Sequence, residues 1–139
     1  MPTVLVLCTG NSCRSIMAEA LINQLGKGRF KAVSAGSKPT GHVHSRALET
    51  LRRNGIDYTN NGEPCSKSWD QFEGKPFDLV ITVCDQAASE SCPVFLGDYK
   101  KFHWSTPDPA QAQSSDETII ATFDETFNLL KHRIETELL

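Results

Sequence analysis

The start of the chain predicts a strand, a short loop and a helix in immediate succession. The apolar run Thr3–Leu7 is typical of a buried strand, and Ser15–Leu25 has the composition of a helix that ends before Gly26. A strand that leads through a short loop into a helix is the building unit of a parallel sheet. This opening therefore restricts the fold to the α/β class.

Three later segments carry strand signals. They are Lys31–Ala35, closed by Gly36, then the largely apolar run Phe77–Val83, and the shorter, mixed Tyr99–Trp104. Together with the first strand they predict a central four-stranded parallel sheet with helices on both faces, in a single domain over residues 1–139.

Capping signals indicate two further helices. Ser45 is the predicted N-cap of a helix over Arg46–Arg53, and Ser115 precedes the acidic first turn of a long C-terminal helix. A short helical turn is predicted within Pro64–Phe72. In the last helix the apolar residues recur at helical spacing and are predicted to be core: Ile119, Ile120, Phe123, Phe127, Leu130, Ile134 and Leu138.

Composition excludes several classes of function. A net charge of −3 gives no reason to expect nucleic acid or an anionic membrane as a partner. Val4–Leu7 is too short for a signal sequence or a membrane span, and five cysteines argue against a complete disulfide framework. We therefore expect a cytoplasmic protein with free thiols. No residue pattern indicates a metal or a cofactor, and nothing requires more than a monomer.

The loop after the first strand carries the strongest chemical signal. Cys8 ends the strand and Arg14 follows after five residues. Helix N-terminal amides, the Arg14 guanidinium and the Ser15 hydroxyl would all favour a reactive thiolate at Cys8. The same amides and guanidinium suit a tetrahedral oxyanion, held by Thr9, Gly10, Asn11, Ser12, Cys13 and Arg14. The alternative is an ordinary strand-to-helix turn with a buried, inert cysteine.

A second cysteine pair follows the strand Phe77–Val83. Cys84 comes directly after that strand, and Cys92 follows seven residues later. The carboxyl ends of parallel strands meet at one sheet edge, so Cys84 would lie near Cys8 and the three thiols could form a disulfide relay. Taken alone, the spacing is no metal signature and favours two unrelated cysteines.

Asp108 stands between two prolines, Pro107 and Pro109. The flanking rings stiffen the backbone, which suits a general acid held over a pocket. Taken alone, the segment favours a surface turn, since aspartate and proline are common in turns.

Together these motifs resemble the arsenate reductases built on the low-molecular-weight tyrosine phosphatase fold. The resemblance extends over nearly the whole chain and is carried by Cys8–Ser15, Ser34–Gly36, Asp78–Val80, Cys84–Pro93, His103–Trp104 and Asp108–Pro109. It implies that Cys8 attacks arsenate, with phosphate or sulfate as competing oxyanions, and that Asp108 protonates the departing oxygen. It further implies that Cys84 attacks the Cys8 adduct and that Cys92 then attacks Cys84.

The resemblance leaves the reductant open between thioredoxin and glutathione with glutaredoxin. The Cys84–Cys92 gap is one residue longer than the usual spacing of the thioredoxin-coupled members. Some members also bind potassium through residues that match Asn11, Glu19 and Ser34 together with an aspartate, whose position here is Lys67. An ammonium there would pair with Glu19, so we predict activity that does not depend on potassium.

Two alternatives share the strand–cysteine–loop arrangement. A tyrosine phosphatase of the same fold would hydrolyse phosphomonoesters through a Cys8 phosphocysteine. Such enzymes usually carry proline where Ile16 stands and aromatic residues where Ala110 stands. A cysteine phosphocarrier domain would need neither Arg14 nor Asp108.

Overall fold

A four-stranded parallel sheet forms the centre of the molecule. The computed structural model describes residues 2–58, 64–84, 99–107, 109 and 115–138. The strands are β1 (Thr3–Cys8), β2 (Lys31–Gly36), β3 (Leu79–Thr82) and β4 (Lys100–His103). They pair in the order β2-β1-β3-β4, and every pair is parallel. The predicted sheet is therefore confirmed, with strand ends that differ from prediction by one or two residues.

The helices also follow the predicted segments. They are α1 (Arg14–Leu25), α2 (Ser45–Arg53), α3 (Asp116–Glu137) and a 3-10 helix at Trp69–Phe72. As predicted, Gly26 caps the end of α1 and the Ser115 side chain caps the start of α3.

The predicted N-cap of α2 is wrong. Ser45 is already helical, and the cap is His44, whose Nδ1 accepts a hydrogen bond of 3.1 Å from the backbone N–H of Arg46. The preference for small hydroxyl and amide caps does not anticipate an imidazole nitrogen. Here the ring is held against Phe123 of α3, with centroids 5.2 Å apart.

The side chains of β1 alternate between two cores. Val4, Val6 and Cys8 face a large cluster that includes buried residues of α1, α2 and α3. Leu5 and Leu7 face the opposite cluster, which is covered by residues of the 3-10 helix and its flanks. Both faces of the sheet are thus covered, and β1 lies at its centre. Of the predicted core residues of α3, four are buried, namely Phe123, Phe127, Leu130 and Ile134.

Strand direction brings the two chemical loops to one edge of the sheet. β1 ends at Cys8, and β3 ends at Thr82, two residues before Cys84. The N–H of Val83 donates to the carbonyl of Leu7 (3.0 Å), which extends the pairing to this edge. None of the helices in the described residues is long and apolar enough to cross a bilayer.

Candidate active site

Backbone donors from a neighbouring segment orient the loop between β1 and α1. N–H groups of residues 37–44 donate to the carbonyls of Cys8 (3.3 Å), Thr9 (2.9 Å), Gly10 (3.0 Å) and Ser12 (2.9 Å). In a planar trans peptide the N–H points opposite to the C=O. The amides that follow these carbonyls therefore point away from residues 37–44, and the Thr9 N–H accordingly hydrogen-bonds Cys8. The loop amides thus face away from the segment that supports the loop, which is the orientation that an oxyanion cradle requires.

Asn11 fixes the turn of this loop. Its backbone has φ of 47°, a left-handed conformation that asparagine tolerates better than most residues. Its buried side chain donates to Ser15 Oγ (2.8 Å) and Ser34 Oγ (3.0 Å), and its Oδ1 accepts from the Lys67 N–H (2.9 Å). These bonds tie the loop to α1, to β2 and to the segment before the 3-10 helix. Ser15, predicted as a hydroxyl donor, is thereby held inside the site.

Gly36 allows β2 to approach the loop closely. It pairs with Cys8 in the sheet register. A Cβ at this position would collide with the carbonyl oxygen of Thr9 and would lie 3.0 Å from the Cβ of Asn11. Only glycine fits this contact without displacing the loop.

Cys8 and Cys84 form a buried thiol pair, each only 3 % exposed. A hydrogen bond with Cys84, followed by burial, raises the pKa of Cys8 well above its ordinary value, while Arg14 and the Thr9 N–H act in the opposite direction. The sequence predicted that Arg14 and the loop amides favour the thiolate; both do lower the pKa of Cys8, but the contact with Cys84 and burial outweigh them. The sequence does not reveal the burial or the contact with a second thiol, and both favour the protonated form.

The guanidinium of Arg14 joins the loop to the segment that precedes Asp108. Its Nη1 donates to the carbonyl of Thr106 at 2.9 Å, and its positive charge lowers the pKa of Cys8. Thr106 is buried, and its hydroxyl donates to the carbonyl of Trp104 at 2.7 Å. The chain two residues before Asp108 is thus anchored at the arginine.

The structure brings together most of the predicted site. Cys8, Arg14, Ser15 and Cys84 meet around residues 9–13 at the carboxyl edge of the sheet. Cys13 is buried and precedes α1, where its carbonyl accepts the Met17 N–H at 2.9 Å. Cys92, Asp108 and Ala110 lie outside the described residues, so the roles predicted for Cys92 and Asp108 stay predictions.

The predicted contact of Lys67 with Glu19 is present. Lys67 Nζ lies 3.9 Å from Glu19 Oε1, and Ser34 Oγ donates to the same oxygen at 3.2 Å. Burial raises the pKa of Glu19, and the Lys67 ammonium opposes that shift. The residues do not fit a potassium ion, because the ammonium stands beside the carboxylate and Asn11 Oδ1 already accepts the Lys67 N–H. Within the described residues, no group of three or more histidine, cysteine, aspartate or glutamate side chains could hold a metal ion.

Sequence reasoning missed the outer supports of the loop. These are the backbone donors of residues 37–44, the Ser66 hydroxyl and the Thr106 carbonyl. Backbone groups have no residue signature, so neither the 37–44 segment nor Thr106 carried a sequence signal. Ser66 is a polar residue in a loop, and only its position in space identifies it.

Comparison with known proteins gives two related enzyme classes. The model of the family "Low molecular weight phosphotyrosine protein phosphatase" matches residues 3–138. An arsenate reductase of Bacillus subtilis is 39% identical over 134 residues, covering 94% of this chain and 93% of the relative. A solved arsenate reductase in the phosphate binding state has a TM-score of 0.74 and 27% identity, covering 98% of this chain and 95% of its own. A solved low molecular weight protein tyrosine phosphatase from T. tengcongensis has a TM-score of 0.67 and 27% identity, covering 98% of this chain and 99% of the phosphatase.

Proposed function

The chain belongs to the low molecular weight phosphotyrosine protein phosphatase family, and from this premise we propose that it reduces arsenate to arsenite in arsenic detoxification. One observation carries the proposal: a second thiol, Cys84, hydrogen-bonds the Cys8 thiol at the base of the anion loop. Phosphoester hydrolysis needs only the first thiol, whereas reduction consumes electrons that a thiol pair supplies. The arsenate reductases among its relatives support the same assignment.

In the first step, arsenate enters the cradle of loop amides and is held by Arg14. The contact with Cys84 and burial raise the pKa of Cys8, so attack requires the thiol to lose its proton. An oxygen of the bound arsenate can accept this proton. Cys8 then forms the S–As bond, and Asp108 donates a proton to the oxygen that departs as water.

In the second step, Cys84 attacks the sulfur of the Cys8 adduct. The new bond is a Cys8–Cys84 disulfide, and the S–As bond breaks with its electron pair passing to arsenic. Arsenic is thereby reduced from As(V) to As(III) and leaves as arsenite. The Thr9 hydroxyl, 3.3 Å from the Cys84 sulfur, can donate to the attacking thiolate and stabilise it.

In the third step, Cys92 attacks Cys84 and releases the Cys8 thiol. The resulting Cys84–Cys92 disulfide is reduced by an external dithiol or by glutathione. A disulfide requires Cα atoms within about 7 Å, so Cys84 must approach first Cys8 and then Cys92 during each cycle.

A phosphatase activity is the second candidate function. Its support is the shared first step: the same loop and arginine would form a Cys8 phosphocysteine from a phosphomonoester. Ile16 and Ala110 stand where phosphatases of this fold usually carry proline and an aromatic residue, which disfavours an aryl substrate. Arsenite release and p-nitrophenyl phosphate hydrolysis, measured on the same preparation, separate the two. Turnover of the ester without arsenite release would reject the reductase assignment.

The reductant is tested by supplying one at a time. We propose thioredoxin first, because the Cys84–Cys92 disulfide is the product of the relay, and glutathione with glutaredoxin as the alternative. Sustained arsenite release with thioredoxin and thioredoxin reductase that is lost in Cys92→Ser supports thioredoxin as the reductant. Sustained arsenite release with glutathione and glutaredoxin that persists in Cys92→Ser supports glutathione with glutaredoxin as the reductant.

A further inference from the structure

We infer that Ser66 is a positioning residue of the oxyanion loop, acting through the peptide that joins Gly10 to Asn11. The Ser66 hydroxyl donates to the carbonyl of Gly10 at 3.0 Å and accepts from the N–H of Gly41 at 3.2 Å. One side chain therefore links the loop to the segment that supports it from outside. The inference rests on the proposed function, since it concerns how the loop binds its oxyanion.

The peptide between Gly10 and Asn11 is held in one orientation. The carbonyl of Gly10 accepts two hydrogen bonds, one from Ser66 and one from the N–H of Thr40 (3.0 Å). Since the peptide is planar and trans, fixing this carbonyl outward fixes the Asn11 N–H toward the cradle. A preorganised donor is worth more to an anion than one that must rotate into place.

The Ser66 hydroxyl also strengthens the Asn11 N–H as a donor. The bonds form a chain from the Gly41 N–H through the Ser66 hydroxyl to the Gly10 carbonyl, and the peptide continues it to the Asn11 N–H. Each hydrogen bond in such a chain polarises the next. Donation to the Gly10 carbonyl therefore makes the Asn11 N–H a stronger donor to a bound oxyanion.

A single substitution at Ser66 can remove this contact by itself. The other outer donors to the loop carbonyls described above are backbone N–H groups, which only proline removes and only by also restricting the backbone. Ser66 provides its bond through a side chain on a half-buried residue, so alanine removes the hydroxyl without opening a core cavity. Ser68 offers a matched control, because its hydroxyl accepts from the Asp70 N–H (3.1 Å) at the start of the 3-10 helix.

The experiment compares inorganic phosphate binding by the reduced wild type, Ser66→Ala, Ser66→Thr and Ser68→Ala, by titration calorimetry. Removal of one hydrogen bond predicts a phosphate Kd about three- to ten-fold higher in Ser66→Ala. Ser66→Thr, which keeps the hydroxyl, should return toward the wild-type value, and Ser68→Ala should stay within about two-fold of it. The KM for arsenate should rise in the same order as the phosphate Kd.

The outcomes separate this inference from the proposed function. A wild type that binds phosphate, together with a Ser66→Ala variant of unchanged Kd, overturns the role of Ser66 alone. An equal loss in Ser68→Ala also overturns it, because the effect would then be general to the segment. A wild type that binds neither phosphate nor arsenate overturns the proposed function and this inference together.

Discussion

The hydroxyl of Thr9 lies 3.3 Å from the sulfur of Cys84, so a residue of the anion loop also contacts the second thiol. The loop after β1 and the Cys84 thiol are therefore joined by a hydrogen bond, and in the proposed mechanism they act together on the oxyanion. A hydroxyl that donates to a sulfur stabilises the thiolate, which is the form that attacks.

Thr9→Val should slow the second chemical step without preventing the first. Valine keeps the shape of threonine and removes the hydroxyl, so Cys84 loses a donor to its thiolate. We expect Cys8–Cys84 disulfide formation to slow by about three- to ten-fold in a single turnover, measured by rapid quench and mass mapping. Thr82→Val is the control, because that hydroxyl bonds His103 at the same edge. Equal disulfide rates in Thr9→Val and wild type would contradict the role of Thr9.

Cys84→Ala should lower the pKa of Cys8. The hydrogen bond with Cys84 is the largest cause that raises this pKa, and Arg14, which lowers it, remains in the variant. A lower pKa means that the thiolate forms at lower pH, so the midpoint of Cys8 alkylation by iodoacetamide should move downward. Peptide mapping separates Cys8 from the other thiols, and Cys65→Ala, at an exposed position, serves as control. A midpoint that is unchanged or higher in Cys84→Ala would show that Cys84 does not govern Cys8.

Gly36→Ala should weaken phosphate binding by the loop more than it lowers the stability of the fold. The added methyl would collide with the Thr9 carbonyl, which must shift. Overpacking of this kind costs roughly 1–3 kcal/mol, and the displaced loop should lose phosphate binding. Gly28→Ala is the comparison, because its Cβ would enter open space although φ is 81°. Thermal unfolding and phosphate titration of both variants test this. Unchanged phosphate affinity in Gly36→Ala would be the contrary result.

Potassium should neither activate nor stabilise the wild type. The Lys67 ammonium lies beside Glu19, so exchanging sodium chloride for potassium chloride at equal ionic strength should leave turnover and Tm unchanged. Lys67→Asp exchanges the ammonium for a carboxylate and should make Tm respond to potassium. A marked potassium stimulation of the wild type would contradict the pairing.

The sheet was predictable because its signals are local and consistent. The run Thr3–Leu7 and the capping pattern around Ser115 each depend on nearby residues, and the structure has β1 and α3 where they indicate. The N-cap of α2 was not predictable, because the imidazole of His44 packs against Phe123 of α3, which is far along the chain. Such a contact exists only once the fold is formed.

The candidate site was predictable in its residues but not in its electrostatics. Cys8 and Arg14 follow from a strand–loop–helix pattern, and parallel strands bring Cys84 to the same edge. The direction of the Cys8 pKa shift depends on burial and on the second thiol, Cys84, which follows β3, and a linear pattern does not encode either. The Ser66 support is likewise a contact between segments distant in sequence.

The most direct test of the thiol relay is a single turnover of Cys92→Ser with arsenate and no added reductant, followed by acid quench and peptide mapping. We expect one arsenite released per protein and a Cys8–Cys84 disulfide in the same yield, with no further arsenite afterwards. Cys8→Ser should release none. Sustained turnover by Cys84→Ser with thioredoxin, or arsenite release by Cys92→Ser with Cys84 still reduced, would contradict the relay.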